Sequence, residues 1–246
     1  QCVRAGADLL FQASGAVFGV EVREDLWSCI PPSSQAALQG AEIIFNLSAS
    51  DSLAGKSRYL RSLVAQQSAR GLCAYVYTSG GFGESSTDLT FGGNALIYED
   101  GTLLAEAQPY SLSPQLIMSE IDVEALRTER RANTTFATDS AHATLEPYAV
   151  LDCGQAPAAG VTLTRPVSCT PFIPQGAALD ENCQEVLEIQ SLGLAKRLSH
   201  TGAQKAVIGV SGGLDSTLAL LVCVRAFDKL GLSRSGIIGV TMPGFG

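Results

Sequence analysis

The sequence lacks features that mark several protein classes. No apolar run in its 246 residues approaches the ~20 residues that cross a bilayer, and its first residues lack the basic end and apolar core of a secretion signal. Histidines number only two, and the seven cysteines show no CxxC or zinc-type spacing. These absences argue against a membrane span, a secretion leader, a zinc site and a disulfide framework. They favour free thiols in a reducing cytoplasm.

Charged residues are also few. They make up 16% of the chain, the net charge is −8, and hydrophobic residues make up 46%. A negative surface argues against binding to nucleic acids or anionic lipids. The apolar share predicts a globular chain with one large domain or two modest ones. The chain also lacks an initiator methionine, from which we expect that it begins inside a longer protein.

Short strands and helices alternate over the first half of the chain. Strands are predicted at "ADLLFQA", "AVFGVEV", "AEIIFNLS", "CAYVYTS", "NALIYED", "TLLAEA" and "LIMSEID". Helices are predicted over residues 52–70 and at "VEALRTERRAN". An Asp-Gly pair between two of the strands predicts a hairpin turn. The mixture predicts a two-layer α/β domain with a mixed sheet over residues 1–133.

The pattern changes in the second half of the chain. Residues 134–173 are rich in Ser, Thr, Pro and Gly without a sustained period, which predicts an irregular linker. A helix over 181–199 follows. A strand over 206–210, a helix over 214–230 and a strand over 236–241 then predict a parallel βαβ unit, and residues 174–246 are predicted to form a second domain.

The turn "VSGGLDST" inside this βαβ unit has the composition of a phosphate site. Gly212 and Gly213 free the backbone, and the helix after them directs unpaired N–H groups at the turn. Ser211 and Ser216 add hydroxyl donors, while the Asp215 carboxylate suits a Mg²⁺ ion between itself and phosphate. Neither the P-loop pattern nor the dinucleotide-binding glycine pattern is present. The alternative interpretation is a tight strand–helix turn capped by aspartate.

Two blocks of the sequence resemble one enzyme family. "SGGLDS" resembles the pyrophosphate-binding loop of the ATP pyrophosphatases, and "GIIGVTMPGFG" narrows this to glutamine-dependent NAD synthetases of bacterial type. Three segments of the first half resemble the nitrilase-fold glutaminase domain of that family. They are "EDLWSCIPPSSQAALQGAEIIFNLSAS", "GKSRYLRSLVAQQSAR" and "AYVYTSGGFGESSTDLTFGG". The resemblance implies an α/β fold in two parts. The first is the carboxyl-terminal part of a nitrilase-fold αββα domain, and the second is the first part of a parallel-sheet ATP-pyrophosphatase domain. The chain is accordingly expected to be a fragment of a longer protein.

The resemblance also implies a reaction. Family members make NAD from deamido-NAD (nicotinate adenine dinucleotide) with ATP, Mg²⁺ and ammonia from glutamine, through an adenylated intermediate that releases AMP and pyrophosphate. A cytoplasmic homo-oligomer is expected by the same analogy. The positions implied around ATP are Gly209, Val210, Ser211, Gly212, Gly213, Leu214, Asp215, Ser216, Thr241 and Met242, with Asp215 as the Mg²⁺ ligand.

The glutaminase half departs from the family at its nucleophile. The family phrase is E-[IV]-C-E-D-[LI]-W, whereas this chain reads "EVREDLW", so that Arg23 stands at the cysteine position. An arginine cannot attack a carbonyl because its guanidinium stays protonated. The resemblance places the family's catalytic Glu and Lys before Gln1, and it implies that Ser50, Lys56 and Glu24 line or support a glutamine pocket. This half is therefore predicted not to hydrolyse glutamine.

Several alternatives remain open at this point. Arg23 could reflect a genuine loss in an enzyme supplied with free ammonia, an engineered change or a sequence error. The chain could instead belong to another ATP-dependent amidotransferase, or to a non-catalytic nitrilase-fold assembly protein. A cation in a cysteine position is also expected to cost stability unless Glu24 or another acid pairs with it. Trp27, Tyr75 and Tyr77 are interpreted as core residues.

Overall fold

The computed structural model describes residues 5–84, 87–143, 146–155, 163–173 and 176–242. The chain divides into two units, Gln1–Pro166 and Val167–Gly246. Both combine helices with strands, which confirms the α/β class expected from the sequence. The boundary lies inside the interval 134–173 that was predicted as a linker.

The first unit is built on a seven-stranded mixed sheet. Its strands are β1 (Leu9–Ala13), β2 (Ala16–Val22), β3 (Ile43–Ser48), β4 (Ala74–Ser79), β5 (Ala95–Glu99), β6 (Thr102–Glu106) and β7 (Ala149–Asp152). The order across the sheet is β6-β5-β4-β3-β2-β1-β7. Strands β2, β3 and β4 are parallel neighbours, so their carboxyl ends meet at one edge of the sheet.

Helices accompany this sheet in the described part of the first unit. They are α1 (Pro32–Leu38), α2 (Lys56–Gly71), α3 (Val123–Ala132) and α4 (Thr134–His142), together with a short 3-10 helix at Arg23–Trp27. The predicted helices over 52–70 and at "VEALRTERRAN" correspond to α2 and α3. Helix α1, which begins with a proline at its first position, was not predicted.

The core lies between α2 and the inner face of the sheet. It includes Leu60 and Val64 of α2, and Tyr75 and Tyr77 of β4 are 0% and 1% exposed. Both tyrosines are therefore core residues, as the sequence indicated. The opposite face of the sheet is more open, since Val22 and Leu47 are each about half exposed.

One predicted strand is wrong, and two elements besides α1 were missed. Residues 116–122, "LIMSEID", form no strand although their pattern alternates. The Glu120 carboxylate instead accepts hydrogen bonds from the backbone N–H groups of Thr164 and Arg165, and the segment pairs with no strand of the described residues. Helix α4 and strand β7 both lie within the predicted linker, and β7 adds to the sheet beside β1.

The second unit is a small βαβ arrangement with one additional helix. Its elements are α5 (Leu179–Thr201), β8 (Ala206–Gly209), α6 (Leu214–Leu230) and β9 (Ile237–Val240), and β8 and β9 pair in parallel as predicted. Ala195 and Leu198 of α5 pack with Ala226 and Phe227 of α6 to form its core. The two strands and two helices agree with the sequence prediction to within about two residues.

Two further observations concern the described part of the chain. No helix there is long and apolar enough to span a membrane. The six cysteines within it all carry free thiols, of which Cys73 and Cys223 are buried and the other four are exposed.

Candidate functional sites

The first candidate site is the turn between β8 and α6. Strand β8 ends at Gly209, and the chain reverses over the next four residues before α6 begins at Leu214. Gly212 has a φ of +87°, a left-handed conformation that a residue with a side chain adopts only with strain. A Cβ added at Gly212 would meet no other atom within 4 Å, so glycine is required here by the backbone angle rather than by space.

Hydroxyl groups surround the amino terminus of α6. The Ser211 and Ser216 hydroxyls lie 3.3 Å apart, and those of Ser216 and Thr217 donate to the Gly213 carbonyl at 3.1 and 2.9 Å. The Thr217 N–H also donates to this carbonyl, at 3.1 Å. Since this carbonyl is the first acceptor of the helix, the N–H groups of Leu214, Asp215 and Ser216 have no intrahelical acceptor. Thr217 was not among the predicted site residues.

Asp215 lies in the first turn of α6 and is exposed. Within the described part of the chain, its carboxylate makes no hydrogen bond or ion pair. The described residues contain no group of three or more His, Cys, Asp or Glu side chains that could hold a metal by themselves. One free carboxylate beside unpaired N–H groups fits a Mg²⁺ ion that takes its remaining ligands from phosphates and water.

The end of strand β9 lies beside this turn. Val210 N–H donates to the Val240 carbonyl at 2.8 Å, so the residues that follow β8 and β9 share one edge of the sheet. Thr241 and Met242 are both exposed there. The structure thus brings together all ten positions predicted around ATP, Gly209–Ser216 with Thr241 and Met242, at one carboxyl edge. That edge is where α/β sheets bind nucleotides.

The second candidate site lies at the carboxyl ends of β2 and β3. Arg23 follows β2 directly and has a φ of +53°, which is uncommon for a residue with a side chain. Its guanidinium is exposed and donates one long hydrogen bond, 3.5 Å, to the Ala49 carbonyl. Glu24 is exposed as well, and among the described residues it does not pair with Arg23. Arg23 therefore remains in contact with solvent, so the burial on which the expected stability cost depends is absent.

Ser50 and Lys56 flank the same edge. The Lys56 ammonium forms an ion pair with Asp51 at 2.8 Å and lies 5.4 Å from the ring centre of Trp27. This pairing lowers the pKa of Asp51, chiefly through the hydrogen bond from Lys56. The Ser50 N–H donates to the Ser79 hydroxyl at 3.1 Å. Arg23, Ser50 and Lys56 are therefore neighbours in the fold, although 27 and 6 positions separate them along the chain.

Unpaired polar atoms accumulate under this edge. Five buried side-chain atoms of the described residues have no hydrogen-bond partner: Trp27 Nε1, Asn46 Oδ1, Ser48 Oγ, Ser50 Oγ and Tyr77 OH. Asn46 and Tyr77 are directly paired in the register of β3 and β4, and Ser48 follows Asn46 on the same face. Unpaired buried polar groups are rare and costly. Ordered water would supply the partners that these buried atoms lack among the described residues.

A buried carboxylate supports this edge from below. Glu21, 2% exposed on β2, accepts hydrogen bonds from the Ser33 N–H at 2.8 Å, from the Asn46 amide at 3.2 Å and from the Tyr75 hydroxyl. Glu21 lies opposite Asn46 in the parallel register. The alternation of polar residues in "NLSAS" was the only sequence signal for this network, and neither Glu21 nor Ser48 was predicted.

Comparison with known proteins finds similarity to one group of enzymes. A model of the NAD synthase family matches residues 186–245. The glutamine-dependent NAD(+) synthetase of Mycobacterium leprae is 42% identical over 247 residues, which cover 98% of this chain and 36% of that protein. The enzyme of the same name from Mycobacterium tuberculosis is also 42% identical, over 99% of this chain and 37% of that protein. By sequence, the chain is a relative of the glutamine-dependent NAD(+) synthetases.

The chain spans about a third of the length of these NAD(+) synthetases. A more distant synthetase, from Aquifex aeolicus, is 27% identical over 96% of the chain and 38% of that protein. Among solved structures, the glutamine-dependent NAD+ synthetase from Acinetobacter baumannii in complex with ADP aligns with a TM-score of 0.43 and 18% identity, over 95% of this chain and 35% of that one. The similarity to NAD(+) synthetases extends over both units, in agreement with the resemblance of both halves of the sequence.

Proposed function

We propose that the protein containing this chain is an ATP-dependent ligase that makes NAD from deamido-NAD and ammonia. ATP would activate the substrate as an adenylated intermediate, with release of pyrophosphate, and ammonia would then displace AMP. The observation that carries the proposal is the β8–α6 turn, where Gly212 at positive φ and the free N–H groups of α6 form a site for phosphates. A soluble cytoplasmic homo-oligomer is part of the same proposal.

The residues of this turn have distinct roles in the proposal. The N–H groups at the start of α6 and the Ser211 and Ser216 hydroxyls would bind the phosphates, and Thr241 and Met242 would lie beside the adenine. Asp215 would hold Mg²⁺, which neutralises phosphate charge when bound. Phosphate oxygens require hydrogen-bond donors and a cation rather than a general base. The turn offers the donors, and the Asp215 carboxylate would hold the cation.

The glutaminase half is proposed to be inactive. A glutaminase of the nitrilase type needs a thiolate to attack the side-chain amide, and Arg23 occupies that position. Cys29 is exposed and lies after the 3-10 helix rather than at the end of β2. The nitrogen would therefore come from free ammonia. Ser50, Lys56 and Glu24 would keep a pocket that binds an amino acid without cleaving it.

Calorimetric titration of the whole protein with ATP and Mg²⁺ tests the nucleotide site. The change Asp215→Asn should weaken Mg²⁺-dependent ATP binding about tenfold or more, since a charged ligand group is lost. Asp180→Asn is a matched control, because Asp180 is exposed at the second position of α5 as Asp215 is in α6. Equal affinities for the protein and its Asp215→Asn variant would contradict the proposal.

Activity with the two nitrogen sources tests the glutaminase half. The whole protein should form NAD from deamido-NAD with ammonium chloride and should form none with glutamine. Arg23→Cys restores the nucleophile and should permit glutamine use if the remaining catalytic groups are present in the whole protein. Robust glutamine-dependent synthesis by the unaltered protein would refute the inactive glutaminase.

A further inference from the structure

The Gly213 carbonyl at the start of α6 has more hydrogen-bond donors than it can accept. They are the Thr217 N–H at 3.1 Å, the Thr217 hydroxyl at 2.9 Å and the Ser216 hydroxyl at 3.1 Å. A carbonyl oxygen has two lone pairs, and the bond from the Thr217 N–H is the first bond of the helix itself. The two hydroxyls therefore compete for the one acceptor position that remains.

The contacts of the two hydroxyls favour Thr217 in this competition. A helical threonine has few allowed χ1 rotamers, and one of them brings its hydroxyl to the carbonyl four residues before it. Among the described residues, the Thr217 hydroxyl has no other partner. The Ser216 hydroxyl does have one, since it also lies 3.3 Å from the Ser211 hydroxyl in the turn. Ser216 can thus leave the carbonyl without losing every partner, whereas Thr217 cannot.

Which hydroxyl holds the carbonyl matters because a hydroxyl has a single hydrogen. While the Ser216 hydroxyl donates to the Gly213 carbonyl, it cannot donate to a ligand above the turn. Thr138 of α4 shows the ordinary arrangement. Its hydroxyl donates to the Thr134 carbonyl at 2.8 Å, and no other hydroxyl of the described residues shares that carbonyl. At Gly213 alone, the threonine bond decides what a neighbouring serine can do.

We propose that Thr217 is a positioning residue, which occupies the Gly213 carbonyl and so leaves the Ser216 hydroxyl free to donate to a phosphate oxygen. This role rests on the proposed ATP site. Thr217 itself would not touch the nucleotide. In the variant Thr217→Val the branched shape remains but the donor is lost, so the Ser216 hydroxyl would become the carbonyl's only hydroxyl partner and would be withdrawn from the ligand.

Calorimetric titration of the whole protein with ATP and Mg²⁺ tests this role through a double-mutant cycle. Thr217→Val should weaken ATP binding about two- to tenfold, as expected for one neutral hydrogen bond, and Ser216→Ala should weaken it by a similar factor. The double variant should bind about as tightly as Ser216→Ala alone, because no Ser216 hydroxyl is left to withdraw. Thr217→Ser keeps the donor and should bind ATP about as well as the unaltered protein.

Thr138→Val is the matched control, because it removes the same kind of bond from an exposed threonine of α4 and should leave ATP affinity unchanged. A threonine that only stabilised α6 would give no coupling, so equal weakening by Thr217→Val with and without the Ser216 hydroxyl would overturn the proposal. An unchanged affinity of Thr217→Val would overturn it as well. Circular dichroism verifies that each variant keeps its helices.

These outcomes remain distinct from failure of the proposed ligase function. Absence of Mg²⁺-dependent ATP binding by the unaltered protein would overturn the ligase function and the role of Thr217 with it. Binding that is weakened by Asp215→Asn but unaffected by Thr217→Val would overturn the role of Thr217 alone.

Discussion

Arg130 provides the sharpest test of what holds the first unit together. Its guanidinium bonds three backbone carbonyls: Leu72 at 2.9 Å, Ala41 at 2.6 Å and Gly71 at 3.0 Å. Gly71 and Leu72 end helix α2, where carbonyls have no helical donor. Arg130 therefore joins α3 to the end of α2 and the start of β3. Burial lowers the pKa of this guanidinium, although an arginine remains charged at neutral pH.

The change Arg130→Met removes these donors but keeps an apolar stem of similar length. Each hydrogen bond to a charged group contributes about 1.5–3 kcal/mol, and the desolvation of the guanidinium offsets part of the sum. The contact between Arg130 and the Phe136 ring, 4.9 Å from its centre, adds about 0.5–1 kcal/mol. We expect the free energy of unfolding to fall by about 3–4 kcal/mol, because partly buried carbonyls lose their donors.

Urea unfolding followed by Trp27 fluorescence measures this loss. Trp27 is the only tryptophan of the chain and packs against the core of the first unit, so the signal reports that unit. With a slope of about 2 kcal/mol per M, the urea midpoint should fall by about 1.5–2 M. Arg131→Met is the matched control, since Arg131 is exposed and, among the described residues, its side chain bonds only Thr128. The reasoning fails if the two variants unfold within about 0.5 kcal/mol of each other.

Three further predictions concern packing and pH. Phe227→Ala should destabilise the second unit by about 3–5 kcal/mol, because Phe227 is 0% exposed in the core of that unit. The backbone amides of α6 should then exchange hydrogen faster, and an unchanged exchange rate would contradict this. Gly236→Ala should also destabilise that unit, since a Cβ would lie 2.4 Å from the Gln204 carbonyl oxygen; a stable variant would show that the backbone can move. Burial raises the pKa of the Cys73 thiol from 9.0 to about 12. As the pH rises, the unfolded chain therefore loses this proton before the folded chain does, and the free energy of unfolding should fall above about pH 9. In Cys73→Ala, the slope of unfolding free energy against pH should decrease in that range, and an unchanged slope would contradict the assignment.

Short sequence patterns predicted the turns and helices whose backbone hydrogen bonds join residues close together in the chain. The hairpin between β5 and β6 turns at Asp100 and Gly101, whose φ angles are +46° and +77°, as the Asp-Gly pair indicated. The β8–α6 turn was likewise predicted residue by residue, since strand, glycines and helix follow one another along the chain. The segment "LIMSEID" failed because a strand also needs a partner, and no alternating pattern supplies one.

The sequence by itself determined most of the strands and helices, the glycine turn before α6 and the presence of an arginine at position 23. Each depends on residues adjacent in the chain, or on the identity of one side chain. Only the tertiary structure decided that Arg23 stays in solvent and contacts the Ala49 carbonyl, and that buried hydroxyls of β3 and β4 lack partners among the described residues. These facts depend on the parallel register of β2, β3 and β4, which brings together residues more than twenty positions apart. Strand register follows from the packing of the whole sheet and cannot be read from any one segment.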